Sequence, residues 1–259
     1  MRATESSPKL AAVAHLVISV GCHLMECGAS ASLIHEEAAT AARSLGCDSV
    51  EIYCQHAAII VTLRRDEEVC VQMGKVGEHG VNLRRLEAVR KIVRRIATHE
   101  SDYAQAQKAL DAVQRTTPSY PVWLVCLCTG LACSAFGRLL GTDWLSFLPV
   151  LAGSAIGQWI RYALSSRKQN VFITAGIVSF VSAFLAGLGA RFFGGTHLHI
   201  TTASAVLLLV PGVPVLNVQT DVIEGKPNLA AARGLRVLYL LLFMTLGLVA
   251  AQRLIVPGI

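Results

Sequence analysis

Hydrophobic positions change their spacing twice along residues 1–117. Apolar residues recur at helical spacing in 10–24 and 34–45, alternate with polar residues in three short runs within 50–73, and return to helical spacing in 81–97 and 102–113. Short alternating runs are typical of strands, and the stretch RRDEE between the last two runs is typical of a hairpin turn. The pattern predicts an α+β domain with helices packed on a small antiparallel sheet.

Long apolar runs dominate the rest of the chain, residues 118–259. A bilayer core about 30 Å thick needs roughly 20 mainly apolar helical residues per span. Five segments meet this requirement: 122–140, 144–164, 171–193, 198–216 and 235–256. The sequence therefore predicts an all-α membrane bundle of five transmembrane helices after a cytoplasmic first domain.

Composition and charge agree with two unlike parts. The chain is 53% hydrophobic and 15% charged, which is too apolar for a soluble domain and too charged for a chain that is membrane throughout. Lys and Arg concentrate after the second and fourth predicted spans, which places the N-terminus in the cytoplasm and the C-terminus outside. The net charge of +6 suits a membrane surface better than nucleic acid, because much of it lies in one helix and at span ends.

Catalytic motifs are missing from the sequence. It has no nucleophile elbow and no phosphate-cradling loop, and His35 in HEEAA lacks the second histidine of a zinc-protease helix. The eight cysteines include no C-x-x-C pair and are expected to be reduced thiols. We assign no metal and no cofactor. A membrane-bound hydrolase using Asp48, Glu51 or His56 is an alternative that rests only on scattered residue types.

The candidate substrate path lies at the broken end of the fourth predicted span. Pro211 and Pro214 each remove a helical N–H, and Gly212 permits unusual backbone geometry. A bilayer tolerates such a break only where protein or water satisfies the freed backbone groups. The break therefore predicts an ion or substrate path, with Asn217 and Asp221 beside it. The alternative is that the prolines merely end the span and that Asp221 is a loop acid.

The second predicted span carries two further polar candidates. The pair Gly153-x-x-x-Gly157 is interpreted as a helix-packing motif. Gln158 and Arg161 follow it, and an amide and a guanidinium near lipid need partners. Two interpretations of Arg161 stay open, since it could snorkel to the inner headgroups or draw anions into the path.

Two longer motifs carry a resemblance to a known family. They are HLMECGASASLIHEEAATAARSLG, with Gly28 and Ser30, and LLLVPGVPVLNVQTDVIEGKPNLAAARG, with Pro211, Gly212, Asp221 and Gly225. Taken with the helix HGVNLRRLEAVRKIVRRI between them, they make the chain similar to the threonine/serine exporter (ThrE) family, in particular its shorter YjjP-type members. Full-length members continue into a second membrane unit, which in split members is a separate YjjB-type protein.

The resemblance implies a multi-pass exporter subunit in the bacterial inner membrane with a periplasmic C-terminus. It would work with a YjjB-like small membrane protein on a small carboxylate, with succinate first and threonine or serine as runner-up; self-association stays open. If transport couples to protons, Asp221 is the expected carrier, so Asp221→Asn should reduce export, and Gly212→Leu should reduce it further through packing. An alternative from another class is a membrane-anchored ligand sensor without transport.

Overall fold

The computed structural model describes residues 9–116 and 120–255. The predicted domain boundary at 117/118 and the end of the fifth predicted span at 256 lie outside these residues. The chain divides by its contacts into two units, each made of two segments. Unit 1 comprises Met1–Pro118 and Val213–Gly234, and unit 2 comprises Ser119–Gly212 and Leu235–Ile259.

Unit 1 combines helices with a three-stranded antiparallel sheet of order β1-β2-β3. Its N-terminal elements are α1 (Leu10–Glu26), α2 (Ala31–Ser44), β1 (Ser49–Cys54), β2 (Ala58–Arg65), β3 (Glu68–Lys75), α3 (Leu83–Ala97) and α4 (Tyr103–Thr116). In the sheet, Val61 pairs with Ile52 on one side and with Gln72 on the other. The predicted small antiparallel sheet among helices is confirmed.

The alternation of β2 places its apolar side chains in the core of unit 1. Ile59, Val61 and Leu63 are fully buried, because this face of the sheet is covered by α1 and α2. Gly74 on β3 admits α1 closely, since an added Cβ would overlap the Ile18 side chain. The sheet is therefore a half-buried layer, and its inner face follows from the period-two pattern.

Apolar helices form unit 2 and continue into the second segment of unit 1. They are α5 (Val122–Leu139), α6 (Phe147–Ser166), α7 (Val171–Phe192), α8 (Leu198–Val206), α9 (Gly212–Ile223) and α10 (Pro227–Ile255). Among the described helices, α5, α7 and α10 are long and apolar enough to cross a membrane, and α8 with α9 would add a fourth span if the bent pair counts as one. The helix α6, which carries Gln158 and Arg161, is not in this set. The five-span count stays a prediction.

Small residues bring the helices of unit 2 into close contact. A Cβ added at Gly153 would lie 2.7 Å from the carbonyl oxygen of Ser182, and one added at Gly157 would overlap the hydroxyl of the same residue. At Gly247 on α10, an added Cβ would overlap the carbonyl oxygen of Gly176 on α7. Gly153 and Gly157 therefore have the packing role that their spacing predicts, and Gly247 adds a close contact that was not predicted.

Candidate functional site

The helix break at Pro211 is the centre of the path predicted from the sequence. The helix axis turns by 67° between α8, extended by a 3₁₀ turn, and α9. Pro211 has no N–H, and the Gly212 N–H donates to the Val210 carbonyl at 2.9 Å. The Leu208 carbonyl, four residues before Gly212, therefore loses its helical donor. Pro214 lies in the first turn of α9, where a missing N–H costs little.

Arg161 on α6 supplies the missing donor at this break. Its Nη1 donates to the Leu208 carbonyl at 3.2 Å. The side chain reaches the surface of unit 2, and in the described part of the chain no ion pair includes it. The structure thus links Arg161 to the Leu208 carbonyl freed by the break at Pro211, and it leaves the guanidinium without a counter-charge among the described residues.

The structure gives less support to the predicted roles of Gly212 and Gln158. A Cβ added at Gly212 would meet no described atom within 4 Å, so the structure gives no close packing at the first carbon of Gly212→Leu. Gln158 is half-buried on α6, and no hydrogen bond between described residues joins it to the break. Apart from the backbone hydrogen bond of Gly212 at the break, no contact between described residues gives either of them a role in a path.

Asn217 and Asp221 lie past the break on α9, and their contacts belong to unit 1. Asp221 is fully buried, and its Oδ2 accepts from Arg233 Nη1 at 2.8 Å. Arg233 also donates from Nη2 to the Ala29 carbonyl at 3.3 Å, and Asn217 Nδ2 donates to the Gly28 carbonyl at 2.9 Å. Asp221 is thus a buried helical residue and not a loop acid. The segment Val213–Gly234, which we call the hairpin, is held to the turn between α1 and α2.

This turn, residues 26–29, which we call the corner, has a partner for each of its carbonyls. Those of Glu26 and Cys27 accept from the backbone N–H groups of Gly80 and Asn82, at 2.9 and 3.2 Å. The carbonyls of Gly28 and Ala29 accept from Asn217 and Arg233 of the hairpin. The two long motifs noted in the sequence therefore meet at the corner, although about 190 residues separate them.

The arginine-rich helix α3 turns two of its cations inward, which the sequence pattern did not predict. Arg85 Nη2 donates to Glu26 Oε2 at 3.0 Å and contacts His23 Nδ1. Burial lowers the pKa of His23, and the adjacent Arg85 charge lowers it further. Arg90 Nε donates to the buried carboxylate of Glu37 at 2.6 Å. The sequence contains one indication of this pairing. Glu37 lies within the apolar stripe of α2, and a buried carboxylate needs a partner.

The residues proposed for a hydrolase do not converge. Asp48 lies before the six-residue strand β1, where its Oδ2 accepts the N–H of Asp66 at 2.7 Å. His56 lies beyond the other end of that strand and stacks on His79 at 4.3 Å between ring centroids. Glu51 is an exposed residue in the middle of the strand. The arrangement gives no group of facing catalytic side chains.

Comparison with known proteins gives a consistent set of relatives. The profile of the threonine/serine exporter family, ThrE, matches residues 15–255. A Klebsiella aerogenes protein named "Probable succinate transporter subunit YjjP" is 31% identical over 254 residues, which cover 97% of this chain and 96% of that protein. An Escherichia coli K12 protein of the same name is 32% identical over 224 residues, 86% of each chain. No solved structure matches the chain. With its apolar helices, the chain is a multi-pass membrane protein that belongs to the threonine/serine exporter family.

Proposed function

We propose that this chain is one subunit of a secondary exporter in the bacterial inner membrane that moves a small carboxylate, succinate first, out of the cell. Five spans would place its N-terminus in the cytoplasm and its C-terminus in the periplasm. The family and the names of the two relatives support an exporter. The word "subunit" in those names implies a partner protein, which we propose to be a YjjB-like small membrane protein.

The charge balance of unit 2 is the observation that favours a dicarboxylate over threonine or serine. Its seven basic side chains are Arg138, Arg161, Arg167, Lys168, Arg191, Arg236 and Arg253. Its one carboxylate, Asp143, is already used, since Oδ1 accepts from the Ser146 N–H and Oδ2 from the Thr196 N–H. These hydrogen bonds hold the pKa of Asp143 at about 2. A zwitterion needs a carboxylate for its ammonium group, whereas a dianion needs only the cations.

Arg161 is the residue that we assign to the anion path. From α6 its side chain donates to the broken helix, and it carries a charge without an ion-pair partner among the described residues. A single hydrogen bond to a carbonyl leaves most of the five guanidinium N–H donors available to a carboxylate. Arg161 would then both satisfy the break and attract the substrate.

Asp221 is assigned to holding the hairpin instead of carrying a proton. Its carboxylate is buried in unit 1 and bound to Arg233, which also binds the corner. The hairpin is covalently continuous with the broken helix at one end and with the rest of α10 at the other. Release of the hairpin would therefore change the backbone at both points, which gives unit 1 a way to gate export.

Efflux from loaded cells tests the proposal. Cells carrying this chain alone, a YjjB-like partner alone, or both are loaded with succinate, threonine and serine, and the external metabolites are measured over time. We expect succinate efflux only when both proteins are present. Amino-acid efflux would keep the family and change the substrate. No efflux from the pair would contradict the proposal and favour the membrane-anchored ligand sensor.

A further inference from the structure

A cavity of about 490 Å³ lies within unit 1, between its N-terminal part and the hairpin. One wall comes from the start of α2 and from the end of β1 with the turn that follows it. The other wall comes from the turn between α9 and α10 and the first turns of α10. Its lining residues are Ala31, His35, Ile52, Tyr53, Cys54, Gln55, His56, Ala57, Gly225, Lys226, Pro227, Asn228, Leu229 and Ala232. The volume falls in the range of pockets that bind small molecules.

The polar lining of this cavity consists mainly of hydrogen-bond donors and bases. His35 and His56 provide imidazoles, Gln55 and Asn228 provide amides, and Lys226 provides an ammonium group. None of the lining residues is Asp or Glu. A cavity with these groups and no carboxylate suits an anion and disfavours a ligand that carries an ammonium group.

The surrounding backbone adds positive potential. The helices α2 and α10 have their first residues, Ala31 and Pro227, in the cavity wall, and both are longer than three turns. Helix N-termini stabilise nearby negative charge. Two acids lie near the cavity. Asp221 acts on Cys54 but is paired with Arg233. Glu224 accepts from Lys226 Nζ at 2.7 Å, and this hydrogen bond lowers the pKa of Glu224. The pair is partly exposed, and such pairs contribute little, so a bound carboxylate can take the place of Glu224.

We propose that this cavity binds a small organic dicarboxylate and thereby fixes the hairpin against the N-terminal part of unit 1. A ligand that contacts both walls stabilises the conformation in which they are together. The site is formed by residues of unit 1 and includes none of the residues of the break, so the inference goes beyond export. Binding is expected from the chain alone, and a failure of efflux would leave it standing.

Binding is measured on the full chain, purified in detergent without any partner, by titration calorimetry and by thermal unfolding. Succinate, inorganic phosphate and threonine are the three probes. We expect succinate to bind and to raise the unfolding temperature. Threonine should not bind, because the cavity wall has no carboxylate for its ammonium group. Stronger binding of phosphate than of succinate would overturn the dicarboxylate assignment, as would the absence of succinate binding.

The variant Asn228→Asp places a negative charge in the cavity wall with almost no change in size. It should weaken succinate binding about tenfold, because like charges repel at short range. The first turn of a helix tolerates Asp well, so folding should be preserved. The matched control is Asn170→Asp at the N-terminus of α7 in unit 2, where the side chain caps the helix. Equal affinity of the two variants would contradict the site.

Thiol alkylation locates the ligand independently of the variants. Cys54 lines the cavity, whereas Cys70, which is also half-buried in the sheet, does not. Burial raises the pKa of Cys54 to about 11, so alkylation is followed in alkaline buffer by mass spectrometry. Succinate should slow modification of Cys54 and leave the rate at Cys70 unchanged. Equal protection of both thiols, or of neither, would place the ligand elsewhere.

Discussion

Two arginines, one in each unit, each donate to a backbone carbonyl where the chain leaves regular helix, but they differ in what surrounds the charge. Arg233 in unit 1 is 8% exposed and paired with Asp221, which is 0% exposed. Arg161 in unit 2 reaches the surface and has no acidic partner in the described chain. In unit 1 the buried charge of Arg233 is neutralised by an ion pair that stabilises the fold. In unit 2 the charge of Arg161 stays available to an anion.

Breaking the buried pair in unit 1 should have the largest effect. Asp221→Asn leaves the Arg233 guanidinium buried without a counter-charge, and we expect a loss of about 3–5 kcal/mol in stability. Denaturant unfolding of the purified chain, with hydrogen exchange of α9 as a local probe, measures the loss. Stability equal to that of the wild-type chain would contradict the pairing.

The double variant Asp221→Leu with Arg233→Met is the matched control for that loss. It replaces the pair by apolar side chains of similar size, so most of the lost stability should return. Its export activity then separates two roles for Asp221. Restored export would support the role of holding the hairpin, whereas a stable but inactive double variant would return Asp221 to the substrate path.

Gly247→Ala tests the close packing of α10 on α7 in unit 2. The added Cβ would overlap the backbone of α7, so we expect a loss of about 1–3 kcal/mol. The same change at Gly212, where an added Cβ meets open space, should cost much less. Thermal unfolding of both variants in detergent measures the difference. A larger loss at Gly212 than at Gly247 would contradict the close approach of α7 and α10.

Changes at Arg161 separate its hydrogen bond from its charge. Arg161→Leu leaves the Leu208 carbonyl without a donor and should cost about 1–3 kcal/mol. Arg161→Gln removes the charge and keeps an N–H donor on a shorter side chain, so it should cost less stability than Arg161→Leu and still lose succinate efflux. Normal efflux from the glutamine variant would limit Arg161 to satisfying the break, and the anion path would need another cation.

Sequence patterns revealed the local features of both units but not the pairings between distant segments. Period and turn composition predicted the strand β2, and Pro211 marked the break, because these depend on neighbouring residues alone. The contact of Asn217 with Gly28 spans 189 residues, and the Arg90 to Glu37 bond spans 53. Such contacts follow from tertiary packing, so the hairpin was assigned by sequence to the membrane part that flanks it.

Mild acidification should loosen unit 1 before unit 2, and this is the smallest effect that we expect. Burial and the Arg85 charge lower the pKa of His23 from 6.5, so the folded state favours the neutral ring. The contribution of the neutral His23 ring to the free energy of unfolding is complete above pH 6.5 and falls as the pH drops below that value. Asp143 has a pKa lowered from 3.8 to about 2, so its contribution persists above pH 3.8 and is lost only as the pH falls through about 2.

Hydrogen exchange compared at about pH 7.5 and about pH 5, corrected for the intrinsic rate, measures this difference. Exchange at the start of α3, where Arg85 contacts His23, should increase, whereas the turn at Asp143 should stay protected. The variant His23→Gln keeps a polar side chain that does not titrate, so the increase at α3 should disappear. An increase that persists in this variant would assign the acid sensitivity of unit 1 to another group. Equal loosening at Asp143 would remove the contrast between the two units, because mild acid would then act on the whole chain.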